Sequence, residues 1–159
     1  MRKLNLIILA LILLASCTNT SNEPTKTIEN KTVTQNKLVE WRNSHFGMSV
    51  HFGIYSELGG VWQGKQIPFY AEQIMNHARI PIADYEEVAR QFNPTEWNAD
   101  TIVKLAKDAG MRYIVFTTKH HDGFCMFKTQ TTDYNIVDFT PFGRDILAEL
   151  AEACKKYDM

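Results

Sequence analysis

The chain has 159 residues, with 17 Lys and Arg against 18 Asp and Glu, and 45% of its residues are hydrophobic. This balance lacks the basic excess of nucleic-acid-binding proteins, so we expect no nucleic-acid partner. The three cysteines are too few for a disulfide scaffold and form no CxxC or Cys/His metal spacing, so we expect no metal centre and no cofactor. Cys125 and Cys154 are expected to be small buried apolar residues, and their pairing is left open.

The first 16 residues resemble a bacterial lipoprotein signal peptide. Arg2 and Lys3 supply positive charge, and the apolar segment from Leu4 to Leu14 is too short for a stable membrane-spanning helix. The small residues before Cys17 are typical of a lipobox, where the peptide is cut before a cysteine that then carries lipid. This predicts export across the inner membrane and a lipid anchor in the periplasm or on the cell surface of a bacterium. An ordinary secretory peptide with an incidental cysteine is the alternative.

Residues 17–36 are predicted to form a flexible tether. They are mostly Thr, Asn, Ser, Glu and Lys, with almost no apolar side chains. Such a composition buries too little apolar surface to offset the entropy lost on ordering. The folded domain is therefore expected over residues 37–159.

Apolar periodicity and turn residues predict the elements of this domain. A short helix is expected at Leu38–Trp41, a strand buried on both faces at Phe46–Gly53 and a glycine-rich loop at Leu58–Gly64. The elements expected after them are helices at Phe69–His77, at Asp84–Gln91 and from Asn98 to Gly110, a strand at Arg112–Phe116 and a last helix from about Arg144.

Each helix is expected to bury one apolar face, and Asp84 and Asn98 are expected to be N-caps. For the helix at Phe69–His77 the predicted face is Tyr70, Ile74 and His77. For the helix after Asn98 it is Ile102, Leu105, Ala106 and Ala109. For the last helix it is Leu147, Leu150, Ala151 and Cys154.

The order strand, helices, strand, helix is typical of an α/β fold with parallel strands and right-handed crossovers. Two parallel strands alone do not make a stable sheet, and the amphipathic helices need more sheet to cover. The chain stops after a helix, where a third strand is expected. The pattern therefore predicts a truncated chain.

Histidines follow both predicted strands. His51 lies at the end of the first, and Lys119-His120-His121-Asp122 follows the second. Because the carboxyl ends of neighbouring parallel strands meet at one edge, we expect the three histidines to converge there. Neutral imidazoles at such an edge suit hydrogen bonding to sugar hydroxyls. Trp62, Phe52, Phe124 and Phe127 are candidate apolar faces for a sugar ring, although core packing is the ordinary role of each of them alone.

Three other interpretations of these histidines stay open. One histidine of the pair faces a ligand while the backbone satisfies the other, or all three are exposed loop residues. Three histidines also suit zinc, although the chain lacks the HxH and HExxH spacings of zinc sites. Spacing alone is weak evidence that Glu72 belongs to a binding site, because surface glutamates are usually only solvated.

Several segments together resemble the α-L-fucosidases of glycoside hydrolase family 29, from about Trp41 to the last residue. The segments that carry the resemblance are Val50–Ser56, Tyr70-Ala71-Glu72, Asn93-Pro94, Ala106–Tyr113, Thr118–Phe124 and Asp133-Tyr134-Asn135. The resemblance implies that the chain is the amino-terminal part of a (β/α)8 TIM-like catalytic barrel, which is usually followed by a β-sandwich. The implied reaction is retaining hydrolysis that releases terminal α-L-fucose from a fucosylated oligosaccharide or glycoconjugate.

Carried over by motif, His51, His120 and His121 are implied to contact fucose hydroxyls, and Glu72 is implied to be the glutamate of the sugar pocket. Trp62 is implied to lie near this pocket. Gln73 departs from the family, which usually has Trp at that position, and this removes an apolar wall.

The resemblance assigns no catalytic residue to this chain. Retaining hydrolysis needs two carboxyl groups about 5–5.5 Å apart, and in the family both follow later strands. Asp122, Asp133 and Asp138 do not match their motifs, so we expect the 159 residues to be inactive alone. A non-catalytic fucose-binding lipoprotein and a zinc-dependent barrel hydrolase are the other hypotheses.

Overall fold

The structure is a computed structural model that describes residues 35–159. The predicted signal peptide, Cys17 and residues 17–34 of the predicted tether lie outside the described residues. The chain divides into two units, Met1–Asn43 and Ser44–Met159. In the first unit residues 35–43 are helical, which confirms the short helix predicted at Leu38–Trp41. No helix within the described residues is long and apolar enough to cross a membrane.

The Ser44–Met159 unit is an α/β arrangement with short strands. Its elements in chain order are β1 (Met48–Val50), α1 (Ile54–Leu58), β2 (Val61–Trp62), β3 (Lys65–Gln66), a 3₁₀ turn (Ala71–Gln73), α2 (Ile74–His77), α3 (Ile82–Gln91), α4 (Ala99–Asp108), β4 (Ile114–Phe116) and α5 (Ile146–Tyr157).

A parallel pair of strands brings distant parts of this unit together. β1 pairs with β4, so that Val50 lies opposite Phe116. The backbone N–H of Thr117 donates to the carbonyl of Val50 at 3.0 Å and extends the pairing past both strands. The predicted parallel neighbours are thus confirmed, although both strands are shorter than predicted. Their carboxyl ends lie side by side, at His51 and Thr117.

Helix α1 follows β1 almost at once and was not predicted. The backbone N–H of Ser56 donates to the carbonyl of Gly53 at 2.9 Å, which closes the first turn. Ile54 and Tyr55 are buried and attach this turn to the core. Two adjacent apolar residues do not distinguish a short helix from the end of a strand, so local sequence misplaced the boundary.

The prediction of a glycine-rich loop at Leu58–Gly64 is wrong at its centre, where a β-hairpin lies. β2 pairs antiparallel with β3, and Trp62 lies opposite Lys65. Gln63 and Gly64 both have positive φ, 48° and 75°. Positive φ at both central residues is the backbone of a two-residue type I′ turn, for which Gln-Gly is a weaker signal than Asn-Gly.

The single helix predicted at Phe69–His77 is interrupted. Phe69 has φ of 77° and lies outside any helix, because a left-handed backbone cannot continue a right-handed helix. The chain then forms the 3₁₀ turn and α2. Ile74 is buried as expected, whereas Tyr70 and His77 of the predicted face are exposed.

The helix caps agree with the sequence in part. Asn98 caps α4, since its side-chain oxygen accepts from Thr101 N–H at 2.9 Å. Asp84 does not cap α3, which begins at Ile82, but lies in its first turn where a carboxylate still favours the helix dipole. Asp145 caps the last helix by accepting from Ala148 N–H at 2.8 Å, so this helix begins later than Arg144.

Helices α4 and α5 pack together on faces rotated from the predicted ones. The buried residues of α4 are Ala99, Val103 and Ala106, while Leu105 is 63% exposed. Those of α5 are Ile146, Leu150 and Ala153. Ala99, Val103, Leu150 and Ala153 form one apolar cluster. Small residues in this cluster allow the two helices to approach closely. The spacing of large apolar side chains, on which the predicted faces were based, does not show this.

The larger apolar cluster lies under the carboxyl ends of β1 and β4. Its buried members are Ile54, Tyr55, Ile74, Ile80, Tyr85, Ala89, Phe92, Phe124, Met126, Ile136, Phe142 and Ile146. These residues come from α1, from α2 and α3 and the residues just after them, from the long segment between β4 and α5, and from the start of α5. The polar residues at the strand ends therefore lie next to this packed apolar cluster.

Gly47, just before β1, permits close approach to β4. A Cβ at this position would overlap the ring of Tyr113. We predict that Gly47→Ala lowers the free energy of unfolding by about 1–3 kcal/mol, because the ring must shift. Urea denaturation of the chain measures this loss.

The control for this prediction is the same change in a Tyr113→Ala background, where no ring is present to overlap. We expect the alanine to cost much less there, so that the double-mutant cycle shows strong coupling. An equal loss in both backgrounds would show that the ring is not the cause.

Candidate functional site

The three histidines predicted to converge lie together at the carboxyl ends of β1 and β4. The ring centroids of His51 and His120 are 5.5 Å apart, and those of His120 and His121 are 4.6 Å apart. The ring of His120 also contacts Tyr55 of α1, with centroids 5.4 Å apart. The parallel pairing of the two strands is what joins residues some 70 positions apart in the chain.

A tight turn carries the histidine pair. The backbone N–H of Gly123 donates to the carbonyl of His120 at 3.0 Å, and Gly123 has φ of 77°. A side-chain oxygen of Asp122 accepts from the N–H of Phe124 at 3.1 Å. Asp followed by Gly suits this geometry, because Asp bonds to the backbone two residues on and Gly tolerates positive φ.

Asp122 is also bonded from a distant helix. The hydroxyl of Tyr85, on α3, donates to Asp122 Oδ2 at 3.1 Å. Burial raises the pKa of the Asp122 carboxyl, and the bonds from Phe124 N–H and the Tyr85 hydroxyl oppose that rise only in part. Burial, followed by the charges of Asp122 and Glu72, raises the pKa of Tyr55 to about 12.

A cavity of about 370 Å³ opens beside this turn. Its lining residues are Glu72, Gln73, Met75, Asn76, Arg79, Ile80, His121 and Asp122. The structure thus brings the predicted residues Glu72 and His121 to one cavity. Gln73, which stands where the resemblance predicts Trp, lines the same cavity. Glu72 reaches the cavity from the 3₁₀ turn, and His121 reaches it from the turn after β4.

His120 lies over a separate small void. This void is lined by Phe52, Gly53, Tyr55, Thr117, His120, Asp122, Phe124 and Met126, and it has no room for a water molecule. Nδ1 of His120 and the hydroxyl of Tyr55 are buried and make no hydrogen bond within the described part of the chain. Nδ1 of His120 is therefore closed to a ligand from outside.

Trp62 is the predicted site residue that the structure does not bring to this group. It lies in the hairpin and lines a different cavity of about 490 Å³, with the carboxylates of Glu57, Asp84 and Glu87 on its walls. Trp62 also packs against the larger apolar cluster. Its position therefore gives no support to a contact with the histidines.

The other aromatic candidates belong mainly to the core. Phe52 stacks on Trp97 with ring centroids 5.5 Å apart. Phe124 is buried and contacts Tyr134 edge to face. Within residues 35–159, no group of three His, Cys, Asp or Glu side chains is arranged to hold a metal ion. Cys125 and Cys154 are both free, and Cys125 is buried.

The roles of Tyr85 and Tyr55 were not anticipated from the sequence. Tyr85 belongs to a predicted helix, whereas Tyr55 belongs to α1, which was not predicted. The Tyr85 hydroxyl bonds to Asp122, and the Tyr55 ring contacts His120. The Asp-Gly pair at 122–123 was a usable local signal for the turn. No local signal indicated which tyrosine would reach it.

The half-buried Asp122 predicts a particular pH dependence of stability. Because folding raises its pKa above the ordinary 3.8, the folded chain keeps this proton over a pH range in which the unfolded chain has lost it. The free energy of unfolding due to this group falls as pH rises through that range, and is constant above it. Asp122→Asn keeps both contacts without ionising. We expect its stability relative to the native chain to increase from about pH 4 upward, measured by urea unfolding.

Asp138 provides a control of opposite sign. Hydrogen bonds from Lys128 and Asn135 lower its pKa, so its contribution is present at neutral pH and is lost as pH falls through its folded value. Asp138→Asn should therefore become less stable relative to the native chain as pH rises. Parallel pH profiles for the native chain and Asp122→Asn would contradict the assignment.

Comparison with known proteins identifies relatives of this arrangement. The family model described as Alpha-L-fucosidase matches residues 12–159. A putative alpha-L-fucosidase of Caenorhabditis elegans is 34% identical over 125 residues, which make up 74% of this chain and 26% of that protein. The chain therefore spans about a quarter of the length of this curated relative.

Solved structures agree in fold and sequence. The alpha-L-fucosidase from Vibrio sp. strain EJY3 matches with a TM-score of 0.76 and 44% identity, covering 79% of this chain and 22% of that one. An alpha-L-fucosidase from Lactobacillus casei in complex with its α-L-fucose product matches with a TM-score of 0.74 and 46% identity, covering 76% and 38%. The family model extends over most of the sequence, and both solved structures share the fold of this chain. The chain therefore belongs to the alpha-L-fucosidase family.

Proposed function

We propose that the protein is a retaining α-L-fucosidase that releases terminal α-L-fucose from glycans, and that residues 44–159 supply part of its fucose pocket. The observation that carries this proposal is the shared cavity of Glu72 and His121, with His120 and His51 in a chain of ring contacts beside it. The substrate would be a fucosylated oligosaccharide or glycoconjugate.

The chemistry of these groups suits a neutral sugar. A glutamate carboxylate accepts hydrogen bonds from hydroxyls, and a neutral imidazole has one donor and one acceptor. The cavity of about 370 Å³ lies within the range of about 300–1,000 Å³ for small-molecule sites. Family membership selects fucose among the sugars that such a set of groups would accept.

Bond cleavage is not assigned to the described carboxylates. A retaining mechanism needs a nucleophile and an acid/base about 5–5.5 Å apart. Asp122 is a poor candidate for either role, because its two oxygens already accept hydrogen bonds from Tyr85 and Phe124. Within this proposal residues 44–159 bind and orient fucose, and the 159-residue chain does not hydrolyse it.

We extend the proposal to the architecture. β1 and β4 would be neighbouring strands of a (β/α)8 barrel, with the histidines at its catalytic face. The parallel pairing, the polar residues at the carboxyl ends and the packing of α4 against α5 support this arrangement.

Trp62 is retained in the proposal as a substrate-binding residue near the pocket on the resemblance to the family alone, since it lines a different cavity.

Binding to fucose tests the proposed pocket. Isothermal titration calorimetry of the 159-residue chain with α-L-fucose should show binding, and Glu72→Gln and His121→Ala should each weaken it by roughly 3- to 10-fold, the loss of a hydrogen bond. His45→Ala is the matched control, since His45 is exposed and precedes β1 at the opposite end of the strand. Equal affinities for His121→Ala and His45→Ala would exclude this pocket.

A non-catalytic fucose-binding lipoprotein is the second candidate, and Gln73 favours it. This side chain lines the cavity at the position where the family usually presents an aromatic wall. An aryl α-L-fucoside separates the two candidates when it is given to the protein encoded by the complete gene. Release of the aryl alcohol supports the hydrolase, whereas fucose binding without release supports the binding protein.

We also propose that the protein is a lipoprotein, anchored to a bacterial membrane through Cys17 and located in the periplasm or at the cell surface. The positive start, the short apolar segment and the small residues before Cys17 support this. The anchor would hold the pocket near the membrane, where fucosylated glycans can be processed or captured.

Lipid labelling tests the anchor. In a bacterial host fed labelled palmitate, the native chain should incorporate label, and Cys17→Ser should abolish incorporation because the acceptor sulfur is gone. Cys154→Ser removes another cysteine and should leave labelling unchanged. Equal labelling of the native chain and Cys17→Ser would rule out this cysteine as the anchor.

A further inference from the structure

Asp122 is a half-buried carboxylate with apolar side chains on one side and the cavity of Glu72 and His121 on the other. Phe52, Phe124 and Met126 share a void with it, and burial raises the pKa of its carboxyl group. A buried charge is costly unless hydrogen bonds compensate it. Both oxygens of Asp122 are so compensated, Oδ1 by Phe124 N–H and Oδ2 by the hydroxyl of Tyr85, each at 3.1 Å.

The two bonds act on different length scales. The Phe124 bond closes the turn on itself, whereas the Tyr85 bond ties the turn to α3, 37 residues earlier in the chain. Tyr85 is 1% exposed and packs in the larger apolar cluster, so its hydroxyl has a defined position. Asp122 therefore ties the turn of the histidine pair to α3, in addition to the burial of Phe124 in the same cluster.

His120 has no hydrogen bond of its own to orient its ring from behind. Its Nδ1 is buried and makes no hydrogen bond within the described residues. Its orientation depends on ring contacts with His51, Tyr55 and His121 and on the backbone of the turn. A shift of the turn would thus change which way Nε2 of His120 points.

We propose that Asp122, held by the Tyr85 hydroxyl, is the positioning residue that sets the orientation of His120 and His121 toward the ligand. Asp122 acts by accepting two hydrogen bonds that hold the turn, and its side chain also forms part of the wall of the cavity that contains Glu72 and His121. Only the identity of the ligand, fucose, rests on the proposed function. The arrangement of the histidine rings is a property of the chain itself and can be measured without ligand.

Four variants of the 159-residue chain separate this role from a general structural one. Tyr85→Phe removes one oxygen and the long-range bond, and Asp122→Ala removes both bonds. Asp122→Asn keeps both contacts, because its amide oxygen accepts from Phe124 N–H and its amide NH₂ donates to the Tyr85 oxygen. Tyr134→Phe is the matched control, since it deletes another tyrosine hydroxyl of the same cluster that makes no bond to Asp122.

The first measurement is by NMR, without ligand. Nuclear Overhauser effects between the rings of His51 and His120, and of His120 and His121, report their contacts. We expect them to weaken several-fold in Tyr85→Phe and Asp122→Ala, and to match the native chain in Asp122→Asn and Tyr134→Phe. Backbone amide spectra establish whether each variant is folded. If Asp122→Ala does not fold, Tyr85→Phe alone provides the test of the lost hydrogen bond.

The second measurement is calorimetric titration with α-L-fucose. The dissociation constant should rise roughly 3- to 10-fold in Tyr85→Phe and Asp122→Ala, and stay within about twofold in the other two variants. Native ring contacts in folded Tyr85→Phe would overturn the proposal, and so would loss of those contacts in Asp122→Asn, which would implicate the charge. Absence of fucose binding in the native chain would count against the proposed function alone, while the ring contacts would still decide the positioning role.

Discussion

The parallel pairing of β1 with β4 is the interaction on which the candidate site depends. It comprises three residues in each strand, yet it places His51 beside the turn that begins after Phe116. The strands themselves are partly exposed, so their pairing is stabilised chiefly by what packs around it. The larger apolar cluster is formed mainly by residues of α1, α2, α3 and the segment before α5, and α4 packs against α5 in a second cluster.

A half-buried carboxylate with apolar neighbours is an unusual component for the wall of a sugar pocket. An isolated charge in such surroundings costs several kcal/mol, whereas each hydrogen bond to a charged group returns roughly 1.5–3 kcal/mol. Two such bonds offset much of the cost but leave the pKa of Asp122 raised. An apolar residue would pack at this position without any charge to compensate. The presence of Asp122 is therefore better explained by the geometry of its two hydrogen bonds than by a gain in stability.

Surface charge contributes little to holding the unit together. Lys156 pairs with Asp100 across α5 and α4, and Arg144 pairs with Glu149 in α5. These side chains are about one-third to one-half exposed, where ion pairs typically stabilise by about 0–1 kcal/mol. The close fit of Ala99, Val103, Leu150 and Ala153 is the stronger reason that α4 and α5 lie together.

Local sequence was sufficient for those features whose cause is local. The N-cap at Asn98, the existence of both parallel strands and the polar residues at their ends follow from capping chemistry, β-branched apolar runs and strand direction. The family was visible because the Lys-His-His-Asp-Gly-Phe motif stands in one short stretch. Tertiary structure decided the remainder, because the causes lie far apart in the chain. Leu105 is exposed since close helix packing selected the face of Val103 and Ala106. Glu72 joins His121 since the 3₁₀ turn packs against α1, which directly follows β1, and Tyr85 reaches Asp122 since α3 also packs against α1.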